Sequence, residues 1–205
     1  MIIGLLGVMG SGKDTVANIL VESYGYSKIS CADSLKDVCS AVFSWERMLL
    51  EGDTLSSRVW RDTVDEWWAE QLNIDDFTPR KALQLIGTDL FREHFNKDIW
   101  VNTLRRKISH QKNIVVSDVR FLNEIKAIKQ ENGILVEVRG RKNYDWYNVA
   151  YRANTGCLKS KNELETWYSN VHRSEWEWIS TKVDYDIHNN KDFNNLKIEI
   201  EKIFK

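Results

Sequence analysis

The run Gly7-Val8-Met9-Gly10-Ser11-Gly12-Lys13-Asp14-Thr15 holds the residues whose types and spacing can most directly do chemistry. It fits G-x-x-x-x-G-K up to the lysine. Glycines at such positions let the backbone turn so that several N–H groups face one phosphate. A lysine at the end of the loop reaches the β- and γ-phosphates of a nucleotide as a mobile point charge. The hydroxyl residue that usually follows helps to hold Mg²⁺. Here that place is taken by Asp14, with Thr15 next. Either Thr15 serves the ion one position later or Asp14 reaches it through water. Gly10, Ser11, Gly12, Lys13, Asp14 and Thr15 are therefore expected to bind ATP with Mg²⁺.

A second set of groups can act on the same phosphates. Asn113–Ser117 is an apolar run that ends in Ser117-Asp118-Val119-Arg120. A carboxylate at the end of a buried strand beside such a loop suits a Mg²⁺-directed acid, so Thr15 and Asp118 are the expected metal residues. The alternative role for Asp118 is to cap the helix that follows. Arg120 can neutralise charge on the transferred phosphoryl group or clamp an acceptor phosphate. Lys13, Asp118 and Arg120 are the expected catalytic residues. Two further runs suit an acceptor anion: Asp33 with Lys36, and Arg80, Gln84, Gly87 and Thr88 along one helix face and its end. Singly, each of these charges reads as a solvated helix face; together, at strand mouths, they favour an anion site.

Elements must place these groups. Residues 2–7 read as a short buried strand and 13–23 as a helix with Val16, Ile19 and Leu20 on one side. A strand over 26–31 and a helix over 34–44, capped by Asp33 or Ser34, follow. The stretch 45–110 reads as wholly helical, with Thr78-Pro79 starting a helix to about 93 and another over 98–109. Strands over 113–117 and 134–139 flank a helix over 121–132, which Gly133 is expected to end in a left-handed cap. Residues 140–180 lack periodicity and read as a surface insertion or a closing lid. A strand over 184–188 and a helix over 192–204, capped by Asp192 with Leu196, Ile200 and Ile203 inward, complete the chain. The alternation implies an α/β fold with a P-loop NTPase-type parallel sheet of about five strands and helices on both faces. The helical stretch 45–110 then stands as an insertion in that fold.

Composition narrows the function classes. The 205 residues, 42% hydrophobic and 29% charged, suit one domain with a substantial core. A net charge of −1 gives no footprint for a nucleic-acid polymer or a membrane surface. Cys31, Cys39 and Cys157 have no metal-like spacing and read as reduced thiols of a cytoplasmic protein. The apolar start, Met1–Leu6, is too short to span a membrane and lacks a basic leader region. Nine tryptophans are unusual. Trp67 and Trp68 are adjacent, so one of them is expected to meet a partner, a lid or a ligand.

The chain resembles the deoxynucleoside monophosphate kinases of bacteriophages and related viruses. The resemblance rests on Ser11–Thr15, on Gly87-Thr88-Asp89 with Ile99-Trp100-Val101, on Asp118–Arg120 followed by Asn123-Glu124, and on His172-Arg173-Ser174-Glu175. It implies a single kinase domain over 1–205, with a monophosphate-binding region at about 45–110 and a lid at about 140–180. It implies ATP:dNMP phosphotransfer with Mg²⁺, in the host cytoplasm for a viral protein. It further implies that Lys36, Arg58, Gly87, Thr88, Trp100, Arg120 and Glu124 line the monophosphate pocket, and that the protein could form a homodimer. Arg141, Arg152 and Arg173 are candidate lid arginines. One rival is a kinase of another small phosphorylated substrate, such as dephospho-coenzyme A. The other is a nucleotide-dependent switch. Against the switch, Asn96-Lys97-Asp98 and Asn190-Lys191-Asp192 lack the spacer of a guanine-reading motif, and Val119 stands where a motor ATPase would carry a glutamate.

Overall fold

The computed structural model describes residues 1–109 and 111–205, and the chain divides into two compact units. The first unit comprises residues 1–30 and 107–205, and the second Cys31–Arg106.

The first unit is built on β1 (Ile2–Leu6), β2 (Ser27–Ile29), β3 (Ile114–Val116), β4 (Ile134–Arg139) and β5 (Tyr185–His188). They form one five-stranded sheet in the order β2-β3-β1-β4-β5, every neighbouring pair parallel. β1 is central, with Ile3 opposite Val115 on one side and Ile134 on the other. A strand bonded on both edges and covered on both faces must be apolar throughout, which is why Ile3, Leu5 and Leu6 are fully buried. Because all strands run one way, the loops after β1, β3, β4 and β5 emerge at one edge.

Side-chain alternation sorts the helices between the two faces. On one face, Ile3 and Leu5 share a core with Val16, Ala17, Ile19 and Leu20 of α1 (Lys13–Tyr24) and with Leu196 and Ile200 of α10 (Phe193–Glu201). Asp192 caps α10 as expected, accepting from the Asn195 N–H. On the other face lies α7 (Leu122–Gln130). Gly4 admits it: a Cβ there would come within 2.7 Å of Ile128 Cδ1. The left-handed residue after α7 is Asn132 (φ 56°), not the expected Gly133. Gly133 is needed for closeness instead, since its Cβ would sit 2.8 Å from the Ile128 carbonyl oxygen.

The segment 140–180 is largely helical rather than irregular. It forms α8 (Asp145–Asn154) and α9 (Leu158–Trp167), joined through Gly156 at φ 101°. The Asn154 amide donates to the carbonyls of Trp176 and Ile179, at 2.9 and 2.8 Å, which ties the following loop to α8. Periodicity was hard to see because the apolar side chains of α9 are few and its surface is mostly solvated.

The second unit is helical, as expected for 45–110. It contains α2 (Asp33–Phe43), α3 (Leu55–Asp62), α4 (Glu66–Leu72), α5 (Pro79–Gln84), a π-helical segment Leu85–Phe95, and α6 (Ile99–Ile108) up to Arg106. α2 begins one residue earlier than expected. Its N-cap is Ala32, and Asp33 is its first residue. Thr78 caps α5 by accepting from the Lys81 N–H, with Pro79 at the first position. Its core stacks Phe43 on Trp45 at 4.4 Å and sets Trp68 edge-on to Phe43. Buried indoles need partners for their N–H groups. Trp45 finds Asp65 at 2.7 Å and Trp68 the Phe43 carbonyl at 3.1 Å. Trp67, in contrast, is 59% exposed, with its ring set edge-on to Trp68 at 4.6 Å. Among the described residues, no helix is long and apolar enough to cross a membrane.

Candidate active site

The glycine loop leaves β1 at its carboxyl end and runs into α1. Gly7 has φ 148°, and a Cβ there would lie 2.5 Å from the Val138 carbonyl oxygen, so no side chain fits. Gly12 is the N-cap of α1 with φ 99°, and no side chain caps the helix among the described residues. The N–H groups of the first turn are thus left for an anion, at the positive end of the helix dipole. Ser11 is completely buried beneath this turn, and its Oγ has no hydrogen-bond partner among the described residues. The Lys13 amine donates to the carbonyls of Gly7 (2.7 Å) and Val8 (3.0 Å), so it lies folded over the loop. Its pKa is lowered to about 8, by burial first and by the nearby Arg120 guanidinium second. Glu175, Asp14 and Asp118 partly offset this.

The loop after β3 brings Asp118 and Arg120 into the same electrostatic group as Lys13. Asp118 accepts from the Ser30 hydroxyl at 2.5 Å. It is not the cap of α7; that place belongs to Phe121. The carboxylate of Glu124, 1% exposed, accepts from the N–H groups of Arg120 (2.8 Å) and Phe121 (3.1 Å). Glu124 therefore anchors the Arg120 backbone, a role that its resemblance-based place in a monophosphate pocket did not suggest. The Arg120 guanidinium pairs with Glu175. Burial works against that positive charge, but Glu175 and Asp118 hold its pKa above the usual arginine value. Asp14 is exposed and pairs with Lys28 of β2 at 2.9 Å, whereas Thr15 is exposed at the first turn of α1.

Two connections cover the glycine loop. A Cβ on Gly140, after β4, would approach Ser11 Cα to 2.7 Å, and the Tyr144 hydroxyl donates to the Met9 carbonyl at 3.0 Å. After β5, the Asn189 amide donates to the Ser11 carbonyl at 3.0 Å. Of the arginines expected to serve a lid, Arg141 donates to the carbonyls of Asn190 and Lys191, Arg152 to Ser160, and Arg173 pairs with Glu177.

In the second unit, Lys36 is buried and its amine donates to Glu51 at 2.6 Å. The other Glu51 oxygen takes Arg47, which also bonds Asp37 at 2.6 Å and lies 3.7 Å from Asp33. Asp33 and Lys36 thus belong to one ionic network. Arg58 donates to the carbonyls of Gly52 (2.9 Å) and Asp53 (3.2 Å), and Arg80 pairs with Asp62. Gln84 ends α5, and the wider π-helical turn begins at Leu85, so Gly87 and Thr88 leave the α-helical register assumed for Arg80 and Gln84. Gly87 packs on Leu35, where a Cβ would meet Cδ2 at 2.5 Å, and its carbonyl accepts from the buried Trp100 indole at 2.8 Å. Thr88 is buried beside it in the chain.

Sequence reasoning missed Arg47, Glu51 and Asn189 as organisers of these groups. The i,i+4 spacing of Arg47 and Glu51 was a usable signal. Nothing in the local sequence marks Asn189. The donor set fits Mg²⁺ as NTPases hold it, through one or two protein oxygens with water and phosphates completing the shell. Thr15 and Asp118 offer such oxygens. Among the described residues, no cluster of three or more His, Cys, Asp or Glu forms a dedicated cage.

A profile of the family described as deoxynucleotide monophosphate kinase matches residues 52–148. A protein of Acanthamoeba polyphaga mimivirus, provisionally named a deoxynucleotide monophosphate kinase, is 33% identical over 152 residues, which is 67% of this chain and 73% of that one. The deoxynucleoside-5'-monophosphate kinase of Escherichia phage T5 is 25% identical over 183 residues, 64% of this chain and 73% of that one. Among solved structures, dephospho-CoA kinase from Campylobacter jejuni superposes with a TM-score of 0.42 at 12% identity, covering 99% of this chain and 94% of that one. The fold assignment rests on the sheet order itself.

Proposed function

Because the chain belongs to the deoxynucleotide monophosphate kinase family, we propose that its glycine loop takes the triphosphate of ATP and that the second unit takes the deoxynucleoside monophosphate. The observation that carries the reading is one constellation: the uncapped first turn of α1, the folded-back Lys13 amine, and Asp118 and Arg120 in its field. The main-chain N–H groups of residues 10–15 bind phosphate oxygens, and Lys13 exchanges the Gly7 and Val8 carbonyls for the β- and γ-phosphates. Thr15 and Asp118 would hold Mg²⁺, which supplies further neutralisation of phosphate charge.

The nucleophile is an oxygen of the acceptor phosphate, already anionic near neutral pH, so no side chain need act as a general base. It attacks the γ-phosphorus in line; the new P–O bond forms as the bond to the ADP oxygen breaks. Catalysis is then positioning plus charge neutralisation by Lys13 and Arg120. Arg120 exchanges Glu175 for a phosphoryl oxygen in this step. In the second unit, Asp33, Lys36, Arg58, Arg80, Gln84, Gly87, Thr88 and Trp100 are assigned to acceptor binding. The ionic pairing of Lys36 and the buried polar step at Gly87–Thr88 support this, since both are costly unless they hold a ligand or a shape.

The test is steady-state kinetics with a panel of deoxynucleoside monophosphates. Lys13→Ala should lose at least about a hundredfold in kcat. A near-normal rate in that variant, or phosphorylation of other acceptors with none of any dNMP, would overturn the assignment.

A further inference from the structure

The loop that follows β5 contains a side chain with no place in the chemistry above. Asn189 sits one residue past β5, and its backbone N–H donates to the Arg139 carbonyl at 2.8 Å, continuing the β4–β5 pairing. Its amide Nδ2 donates to the Ser11 carbonyl at 3.0 Å. It also rests so closely on the loop that a Cβ on Gly12 would come within 2.1 Å of that nitrogen. The residues after it are held as well, because the Arg141 guanidinium donates to the carbonyls of Asn190 (3.2 Å) and Lys191 (2.8 Å). On the far side, Gly140 lies against Ser11.

We infer that Asn189 is a positioning residue for ATP: by holding the Ser11 carbonyl, it fixes the orientation of the Ser11–Gly12 peptide and so aims the Gly12 N–H at the phosphates. The inference rests on the reading of the glycine loop as the triphosphate cradle. The physical reason is the planar trans peptide, in which the C=O and the following N–H point in opposite directions. Anchoring one decides the other. Gly12 has φ 99° and no Cβ, so the backbone alone leaves this peptide free to rotate. The neighbouring Ser11 side chain supplies no anchor, as its Oγ has no partner among the described residues. A donor from outside the loop is therefore what removes the freedom, and a donor aimed before the ligand arrives lowers the ordering cost of binding.

The experiment compares wild-type protein with Asn189→Ala and Asn189→Asp, using ATP and inorganic tripolyphosphate as competing ligands. Tripolyphosphate carries no base or sugar, so it reads the cradle alone. Asn189→Asp is close in size and keeps the packing on Gly12, but it presents an oxygen to the Ser11 carbonyl. The expected result is a rise of about five- to tenfold in both the KM for ATP and the tripolyphosphate inhibition constant in Asn189→Ala. The rise should be larger in Asn189→Asp, and the KM for dNMP at saturating ATP should not move. An unchanged tripolyphosphate constant with a weakened ATP constant would mean that Asn189 touches the base or sugar, and would overturn the proposal. So would equal losses for ATP and dNMP accompanied by a lower melting temperature, which mark a general structural role. Failure of tripolyphosphate to compete with ATP on the wild-type protein would remove the cradle reading itself, and the inference with it.

Discussion

The affinity for ATP should weaken steeply above pH 8, because Lys13 is held there. Its amine is lowered from 10.5 to about 8 by burial and by Arg120. In the free protein about nine-tenths of it is then neutral at pH 9. A bound triphosphate brings negative charge against the amine and returns its pKa toward the ordinary value. Binding thus favours the protonated form, and affinity falls as pH rises from the free-protein value toward that of the complex. The loss should be about tenfold at pH 9 relative to pH 7, following a slope of one proton. The nucleotide adds little to the change, because a terminal phosphate with a pKa near 6 is already about nine-tenths ionised at pH 7. Calorimetry in two buffers of different ionisation enthalpy measures both the affinity and the proton taken up. Lys13→Arg should flatten the profile, since a guanidinium stays charged throughout. Arg120→Gln should move the midpoint to higher pH by removing a like charge. A wild-type dissociation constant that stays level from pH 7 to 9.5, with no proton uptake, would refute the reasoning.

Two further outcomes follow from the ionic anchors. Glu51 joins Lys36 and Arg47, so Glu51→Ala should cost about 2 kcal/mol in denaturant titrations, less than a fully buried pair because Glu51 is part exposed. Burial pushes the Glu51 pKa up, but the hydrogen bonds from Lys36 and Arg47 hold it below 4.5. Its share of stability is therefore complete above the unfolded value and lost as pH falls through the folded one, and Glu51→Gln should remove that acid-side slope. Glu124→Ala should cost about 1–2 kcal/mol by leaving the Arg120 and Phe121 N–H groups unmatched, and should lower kcat along with stability. Loss of stability with kcat unchanged would reduce Glu124 to a helix cap.

Much of the fold was legible along the chain because its signals are local. The apolar run of β1, the glycines of the loop and the lysine after them follow one another without a gap, so strand, loop and helix could be read together. Thr78-Pro79 and Asp192 worked as caps because a cap needs only its own next turn. Gly133 misled because a glycine after a helix has two uses, a left-handed turn and a close approach. Only the packing against Ile128 shows that it serves the second. The π-helical turn at Leu85–Phe95 was invisible for a similar reason: the residue pattern fits either helix, and the site around Leu35 and Trp100 is what the wider turn accommodates.

By itself, then, the sequence determined a parallel α/β unit with a glycine loop running into its first helix, and the residue types around that loop. Those depend on hydrophobic period, on glycine conformations and on charges a few positions apart. Tertiary structure alone decided which groups meet across long separations. Arg120 takes Glu175 from 55 residues further along the chain, and the Ser11 carbonyl takes Asn189 from 178 residues away. Such pairings are set by the order of strands in the sheet, which brings the ends of β1, β3, β4 and β5 to one edge, and no short stretch of sequence carries that information.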